Sequence, residues 1–285
     1  MTASPLFSHA MTLRAVSQTG DTTVSHIFDG DLNEHWTIGP KIHGGVMLAL
    51  CAKAAGLAVG SGSGDGDAEP VVVSANYLFA PDPGPVEVVA TIRKRGRTVS
   101  LVDVDLTQGG RVAVRAAVTL GAPEDHVAPL LEVNPVPAVM SAEPPPDVAA
   151  IGPGHLLGDI NHLAAGCDIR PDLTSLMSGA HGGTPRTRIW VRPRDEAPDL
   201  LFALLCGDIS APMTFAVGRR GWAPTVQLTA YLRSRPADGW LRVLSTTSQI
   251  GQQWFDQDYL VVDCEDRIVA QSRQLALVPA KDWGK

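Results

Sequence analysis

The chain is expected to be an α+β protein built from two tandem copies of one unit, each a buried helix followed by antiparallel strands. Three features of its 285 residues carry that expectation. Each half contains an apolar helix-like run, 43–56 and 200–217, the second interrupted by one acid; the first is apolar on nearly every side, and such a helix must be wrapped by other structure and not laid on a surface. Each run precedes several strand-like segments, the order of an α+β fold and unlike the βαβ alternation of a parallel sheet. The halves also match at a single ungapped offset. Adding 155 to positions 50–120 gives fourteen identities in seventy-one pairs, where composition alone would give about five.

The elements follow in order. Residues 15–28 read as a polar strand, Asp29-Gly30 as a turn, and 32–40 as an extended piece around Trp36. The first helix opens at His43-Gly44-Gly45, with Gly56 as its expected stop. The glycine-rich stretch 60–67 reads as a loop, because it lacks both the lysine of a phosphate loop and the closing glutamate of a calcium loop. Strands are expected at 71–78, 86–94, 98–107 and 111–120, with Gly109-Gly110 as a hairpin turn. Residues 122–155 are rich in proline and weakly periodic, as a linker would be. Beyond it come an irregular stretch at 156–168, a short strand at 187–192, the second helix, and strands at 226–232, 241–249, 254–264 and 268–278. The expected units are therefore a first domain at 1–121, a linker at 122–155 and a second domain at 156–285.

Composition narrows the partners. A formal charge of −7 argues against nucleic acid or an anionic membrane as the main partner, since both require clustered positive charge. Cys51, Cys167, Cys206 and Cys264 have neither CxxC spacing nor the density of a disulfide framework, so they read as small buried hydrophobes. The first residues lack a basic leader followed by an apolar core, and no apolar run approaches the length of a membrane span. A cytoplasmic setting is expected.

Three polar residues sit oddly in apolar or strand-forming surroundings: Asp208, Thr225 and Gln274. The flat offset places Lys53, Pro70 and Thr119 at their counterparts in the first copy, so the first copy is not expected to do any chemistry that these three support in the second. Each has an ordinary explanation when taken alone. An aspartate between Gly207 and Pro212 suits a helix break, a threonine after proline starts a strand, and a glutamine on a last strand faces solvent. Other enzyme classes lack their marks: there is no GxSxG, HExxH or GxGxxG, and no clustered metal-ligand spacing. The basic run 93–97 and the pair Arg219-Arg220 suit either phosphates or a solvated turn.

Taken together, these residues resemble the acyl-CoA thioesterase II family of double hotdog proteins. The resemblance rests on Leu204-Leu-Cys-Gly-Asp208, Ala223-Pro-Thr225, Arg235-Pro236, Trp240-Leu241 and Val269-Ala-Gln-Ser-Arg-Gln274. It implies a double hotdog, two tandem copies of a long helix wrapped by an antiparallel sheet. It also implies that Asp208, Thr225 and Gln274 hold a hydrolytic water. The first half resembles single-hotdog thioesterases through His43-Gly44-Gly45, which in some of them opens the helix and offers an N–H to the thioester oxygen, although the acid they place two turns on is replaced here by Leu50 to Lys53. The sequence departs from the pattern where Val226-Gln227 follows Thr225 and Leu275 follows Gln274. In this chemistry the aspartate is the general base, the hydroxyl orients and the amide donates. The reading requires no metal, no cofactor and no covalent intermediate; it takes a fatty acyl-CoA as substrate and expects a homo-oligomer. A non-catalytic acyl-CoA binder is the alternative. A hydratase or dehydratase is disfavoured, because no histidine lies beyond His181.

Overall fold

The computed structural model describes residues 4–20, 24–60, 68–124, 127–177 and 184–280. A short helix α1 (Phe7–Ala10) leads into strands β1 (Leu13–Thr19) and β2 (Ser25–Leu32), then a ribbon of β3 (Thr37–Ile38) and β4 (Lys41–Ile42). Helix α2 (Gly44–Val59) follows, then β5 (Glu69–Tyr77), β6 (Gly84–Lys94), β7 (Ser100–Gln108) and β8 (Arg111–Gly121). The second half has β9 (Cys167–Asp172), α3 (Thr174–Met177), β10 (Arg186–Pro193), α4 (Leu200–Cys206), β11 (Thr225–Leu232), β12 (Leu241–Thr246), β13 (Trp254–Val262) and β14 (Ile268–Leu277).

Twelve of these strands form one antiparallel sheet in the order β1-β2-β6-β7-β8-β5-β11-β14-β13-β12-β10-β9. Read from either edge the order is the same duplicated series, so a pseudo-twofold axis crosses the β5–β11 junction. There Ser74 pairs with Thr229, its own counterpart at offset 155, and the two hydroxyls are 2.8 Å apart. Even the irregularity that skips Val71 in β5 recurs at Val226 in β11.

Helix α2 is buried on nearly all sides, with Val46, Leu48, Leu50 and Ala54 at 0% exposure. Its sheet-lining partners alternate as half-buried strands do: Val86, Val88 and Ala90 on β6, and Val102, Val104 and Leu106 on β7. The helix runs past Gly56 and ends at Gly60, whose φ of +85° is the left-handed cap that glycine adopts without strain. Arg95 donates to the carbonyl oxygens of Val59 and Ala58, and Arg93 pairs with Asp103. The rest of the expected loop at 60–67 lies outside the described residues.

Several expectations are corrected. Residues 15–28 are two strands, and Asp29-Gly30 lies inside β2, where it pairs with both β1 and β6. The piece at 32–40 is a 3₁₀ turn (Glu34–Trp36) followed by the β3–β4 ribbon. The second long helix does not form. Only the seven residues of α4 are α-helical, the chain breaks at Gly207, and a 3₁₀ turn (Met213–Val217) follows. Pro212 explains the break, since in a continuous helix its ring would strike the carbonyl of Asp208, four residues earlier. The offset also slips by one residue in the last strand. Gln257 pairs with Gln274, whereas its counterpart Val102 pairs with Val118, so Gln274 corresponds to Val118 and not to Thr119. Two of the fourteen sequence identities, Val114 with Val269 and Leu120 with Leu275, lie beyond this slip and are not structural mates.

The proline-rich segment packs against the second half. Val136 and Met140 bury against Trp190, Trp240 and Val262. Arg242, 1% exposed, donates to the Met140 carbonyl at 3.2 Å and so pins the segment from below. All four cysteines are free, and Cys51, Cys167 and Cys206 are buried. Among the described residues, no helix is long and apolar enough to cross a membrane.

Candidate active site

The break after α4 meets the start of α2, so residues 165 positions apart in sequence come together. Pro212 leaves the Asp208 carbonyl without a helical donor, and His43 supplies one: its Nε2–H lies 3.1 Å from that oxygen. Nδ1 of the same ring accepts from the Gly45 N–H at 3.1 Å, which caps the first turn of α2. Both ring nitrogens are engaged, and burial lowers the imidazole to about 4, so His43 is neutral near pH 7. Gly44 and Gly45 are required by proximity. A Cβ on Gly44 would lie 2.6 Å from Asp208 Oδ2, and one on Gly45 would lie 2.8 Å from the Leu205 carbonyl oxygen.

Asp208 as a residue is 9% exposed. Burial pushes its carboxyl up to about 7, and a hydrogen bond from the Gly45 N–H only partly offsets that. Half-buried Tyr77 and buried Tyr259, two of the three tyrosines in the chain, lie close enough for the Asp208 charge to add to the desolvation that raises both phenols. Tyr77 Oη donates to the Gly44 carbonyl at 3.2 Å.

Thr225 and Gln274 touch directly. The Thr225 hydroxyl donates to Gln274 Oε1 at 2.5 Å, and Gln274 Nε2 donates to Tyr259 Oη at 2.8 Å. Gln257, on the neighbouring strand, joins this chain and passes it on to Ser245 at 2.8 Å. The duplicated irregularity at Val226 places Thr225 at the entry of β11.

Asp208, Thr225, Gln274, His43 and Gly44 all line one cavity of about 170 Å³, whose remaining wall is largely apolar and includes seven isoleucines. The wall draws on both halves and on the end of the proline-rich segment: Ile38 and Ile42 from the ribbon, Ile151 and Ile160 from the connection, Ile169 and Ile189 from β9 and β10. All three sequence-selected polar residues thus reach one cavity. The histidine-glycine motif of the first half joins them instead of marking a separate site.

Family models match both halves of the chain. The acyl-CoA thioesterase N-terminal domain matches residues 32–121, and the acyl-CoA thioesterase C-terminal domain matches 138–278. The chain belongs to the acyl-CoA thioesterase family. An uncharacterised protein of Mycobacterium tuberculosis is 56% identical over 97% of this chain and 99% of its own. Among solved structures, one described as a thioesterase II from Thermobifida fusca has a TM-score of 0.78 at 26% identity, covering 98% of this chain and 100% of that one. A hot dog protein from Alicyclobacillus acidocaldarius has a TM-score of 0.74 at 19% identity, covering 96% and 98%. An acyl-CoA thioesterase II from Mycobacterium marinum reaches 0.67 at 15% identity, covering 98% and 99%. At those last two identities the likeness concerns the hotdog fold alone.

Sequence reasoning missed the tyrosines, Gln257 and Ser245 of this acyl-CoA thioesterase chain. The duplication held the signal for three of them. Inward positions that are Ala90, Val102 and Val104 in the first copy become Ser245, Gln257 and Tyr259 in the second. A buried face that turns polar in only one of two copies sets that copy apart.

Proposed function

We propose that the chain hydrolyses acyl-CoA thioesters, with Asp208 as general base toward a water held between its carboxylate and the Thr225 hydroxyl. The observation that carries this reading is a buried carboxyl pushed up to about 7 and opening on an apolar cavity. Such a group is substantially ionised at neutral pH, yet takes a proton from attacking water more readily than an ordinary carboxylate. The direction of the hydrogen-bond chain supports the rest. Because Thr225 gives its hydrogen to Gln274, its lone pairs are left to accept from water. A water with one hydrogen toward Asp208 and the other toward Thr225 turns a lone pair to the thioester carbon.

The oxyanion that forms is received at the start of α2 by the Gly44 N–H, on the residue of that turn that lines the cavity. The proton taken by Asp208 then passes to the departing coenzyme A thiolate, leaving a carboxylic acid and a thiol. His43 acts by position, holding the α2 start against the Asp208 backbone, and the fatty acyl chain enters the apolar cavity.

The test follows thiol release from acyl-CoA substrates. Asp208→Asn should lose about 100-fold or more in kcat while still binding substrate, and Thr225→Val should fall between the two. Undiminished turnover by Asp208→Asn overturns the assignment of the base. Absence of release by the wild-type chain from any acyl-CoA overturns the hydrolysis itself.

A further inference from the structure

The hydrogen-bond chain behind Thr225 has a direction, and one residue in it sets that direction. The hydroxyls of Thr225, Tyr259 and Ser245 can each turn to donate or accept. Between Thr225 and Tyr259 the Gln274 amide could therefore face either way, since both neighbours suit either of its ends. Gln257 differs. It is fully buried on β13, opposite Gln274 on β14, and it reaches backbone groups whose polarity cannot change. Its Oε1 accepts from the Met213 N–H at 3.3 Å, and its Nε2 donates to the Ala211 carbonyl at 3.2 Å. Those groups flank Pro212, where the break after α4 leaves them without helical partners. Fixed in this way, Gln257 presents its Oε1 to Gln274 Nε2 at 3.4 Å. A reversed Gln274 would set oxygen against oxygen there, in a dry interior that screens the repulsion poorly.

We propose that Gln257 is a positioning residue: it holds the Gln274 amide with Oε1 toward Thr225 and so turns the Thr225 lone pairs to the attacking water. The inference rests on that water lying between Asp208 and Thr225 as set out above. With the Gln274 amide reversed, its Nε2 would donate to Thr225, and the Thr225 hydrogen would point into the cavity. There it would engage a lone pair of the water that has to attack the thioester carbon. Gln257 itself is no part of the cavity wall, so it acts only through Gln274. Its mate in the first copy, Val102, pairs with Val118, and neither side chain carries a direction.

The test compares Gln257→Met, which keeps the length but neither end of the amide, with Gln257→Glu, whose carboxyl keeps an oxygen toward Gln274 whether or not it is ionised. Gln257→Met should lose about tenfold in kcat for thiol release with KM unchanged, and Gln257→Glu should stay within about threefold of wild type. On a Thr225→Val background Gln257→Met should cost nothing further, because no hydroxyl remains to be turned. Gln257→Leu takes its place should the methionine variant not fold. Side-chain amide NMR reads the orientation without turnover. In the wild type the Gln274 NH2 protons should show cross-peaks to the Tyr259 ring, and in Gln257→Met a second set should appear to the Thr225 methyl. The same loss of kcat on both backgrounds, a Gln257→Glu as impaired as Gln257→Met, or unchanged Gln274 cross-peaks would overturn the inference. Cross-peaks that shift in a chain without thioester hydrolysis sink only the hydrolase, and hydrolysis with unshifted cross-peaks sinks only the role of Gln257.

Discussion

Asp208 and His43 carry opposite proton linkages, and the pair decides how stability depends on pH. The folded Asp208 carboxyl takes up its proton near 7 and an unfolded one near 4, so between those values the folded chain holds the extra proton and ionisation destabilises it as pH rises. His43 does the reverse. Its imidazole stays neutral down to about 4 when folded, whereas an unfolded histidine protonates near 6.5, so its contribution grows as pH rises through that window. Between about 4 and 6.5 the two slopes cancel, because folding moves one proton from the imidazole to the carboxyl. Asp208→Asn removes one side of that balance. In urea titrations the variant should gain stability by about 3 kcal/mol from pH 4 to 6.5, a rise absent from wild type, and at pH 8 it should exceed wild type by roughly 2–4 kcal/mol. Activity runs the other way: wild-type kcat/KM should climb tenfold per pH unit up to about 7 and then level off. A variant no more stable than wild type at pH 8 would mean that Asp208 is not held as a strained, desolvated base.

At the scale of elements, the site is made by one helix ending early against another that begins there. Gly45 is the contact point. A methyl at that position would press on the Leu205 carbonyl at 2.8 Å and the Asp208 Cβ at 3.2 Å, and a backbone oxygen has nowhere to yield. Gly45→Ala should therefore cost about 1–3 kcal/mol in urea unfolding and push the α4 end away from α2. Thiol release should drop about tenfold or more, although no reacting group has been removed, because a shift of that size misplaces the base. Normal turnover with normal stability would show that the two helix ends need not touch. The early end was written in the chain. Pro212 and Gly207 flank the aspartate, but the apolar run 200–217 is continuous enough to hide the break, since burial demands apolar residues whether the backbone is α-helical or not. Strands were easier to read than helices, because alternation on β7 and the turn at Gly109-Gly110 are local signals. The pairing of β1 with β2 and the course of the β3–β4 ribbon were not, since both depend on what lies beneath them.

Across the whole molecule, the duplication was legible as arithmetic and the polar residues of the cavity were legible one by one, but the contact that brings the two halves together there was not. An offset of 155 residues says which positions are mates, and it located the axis that the Ser74–Thr229 pair sits on. It does not say that the mates face each other, so nothing in the sequence joins His43 to Asp208. The symmetry-related end shows what one copy alone lacks: there the cavity is lined by Lys53, Pro70 and Asp199. Because β5 pairs with β11, the sheet has no break at which one half could melt while the other stays folded, and helices α2 and α4 pack on each other within one core. The halves should then unfold together. Five of the six tryptophans lie beyond residue 189, so fluorescence reports on the second half while far-ultraviolet circular dichroism reports on both. In urea the two signals should trace one transition. Leu48→Ala, at a fully buried site in the first half, should move both midpoints equally, by a loss of about 3 kcal/mol. If the circular dichroism moves and the tryptophan signal stays, the halves are separate folding units that share an edge, and a catalytic group from one would be held only loosely against the other.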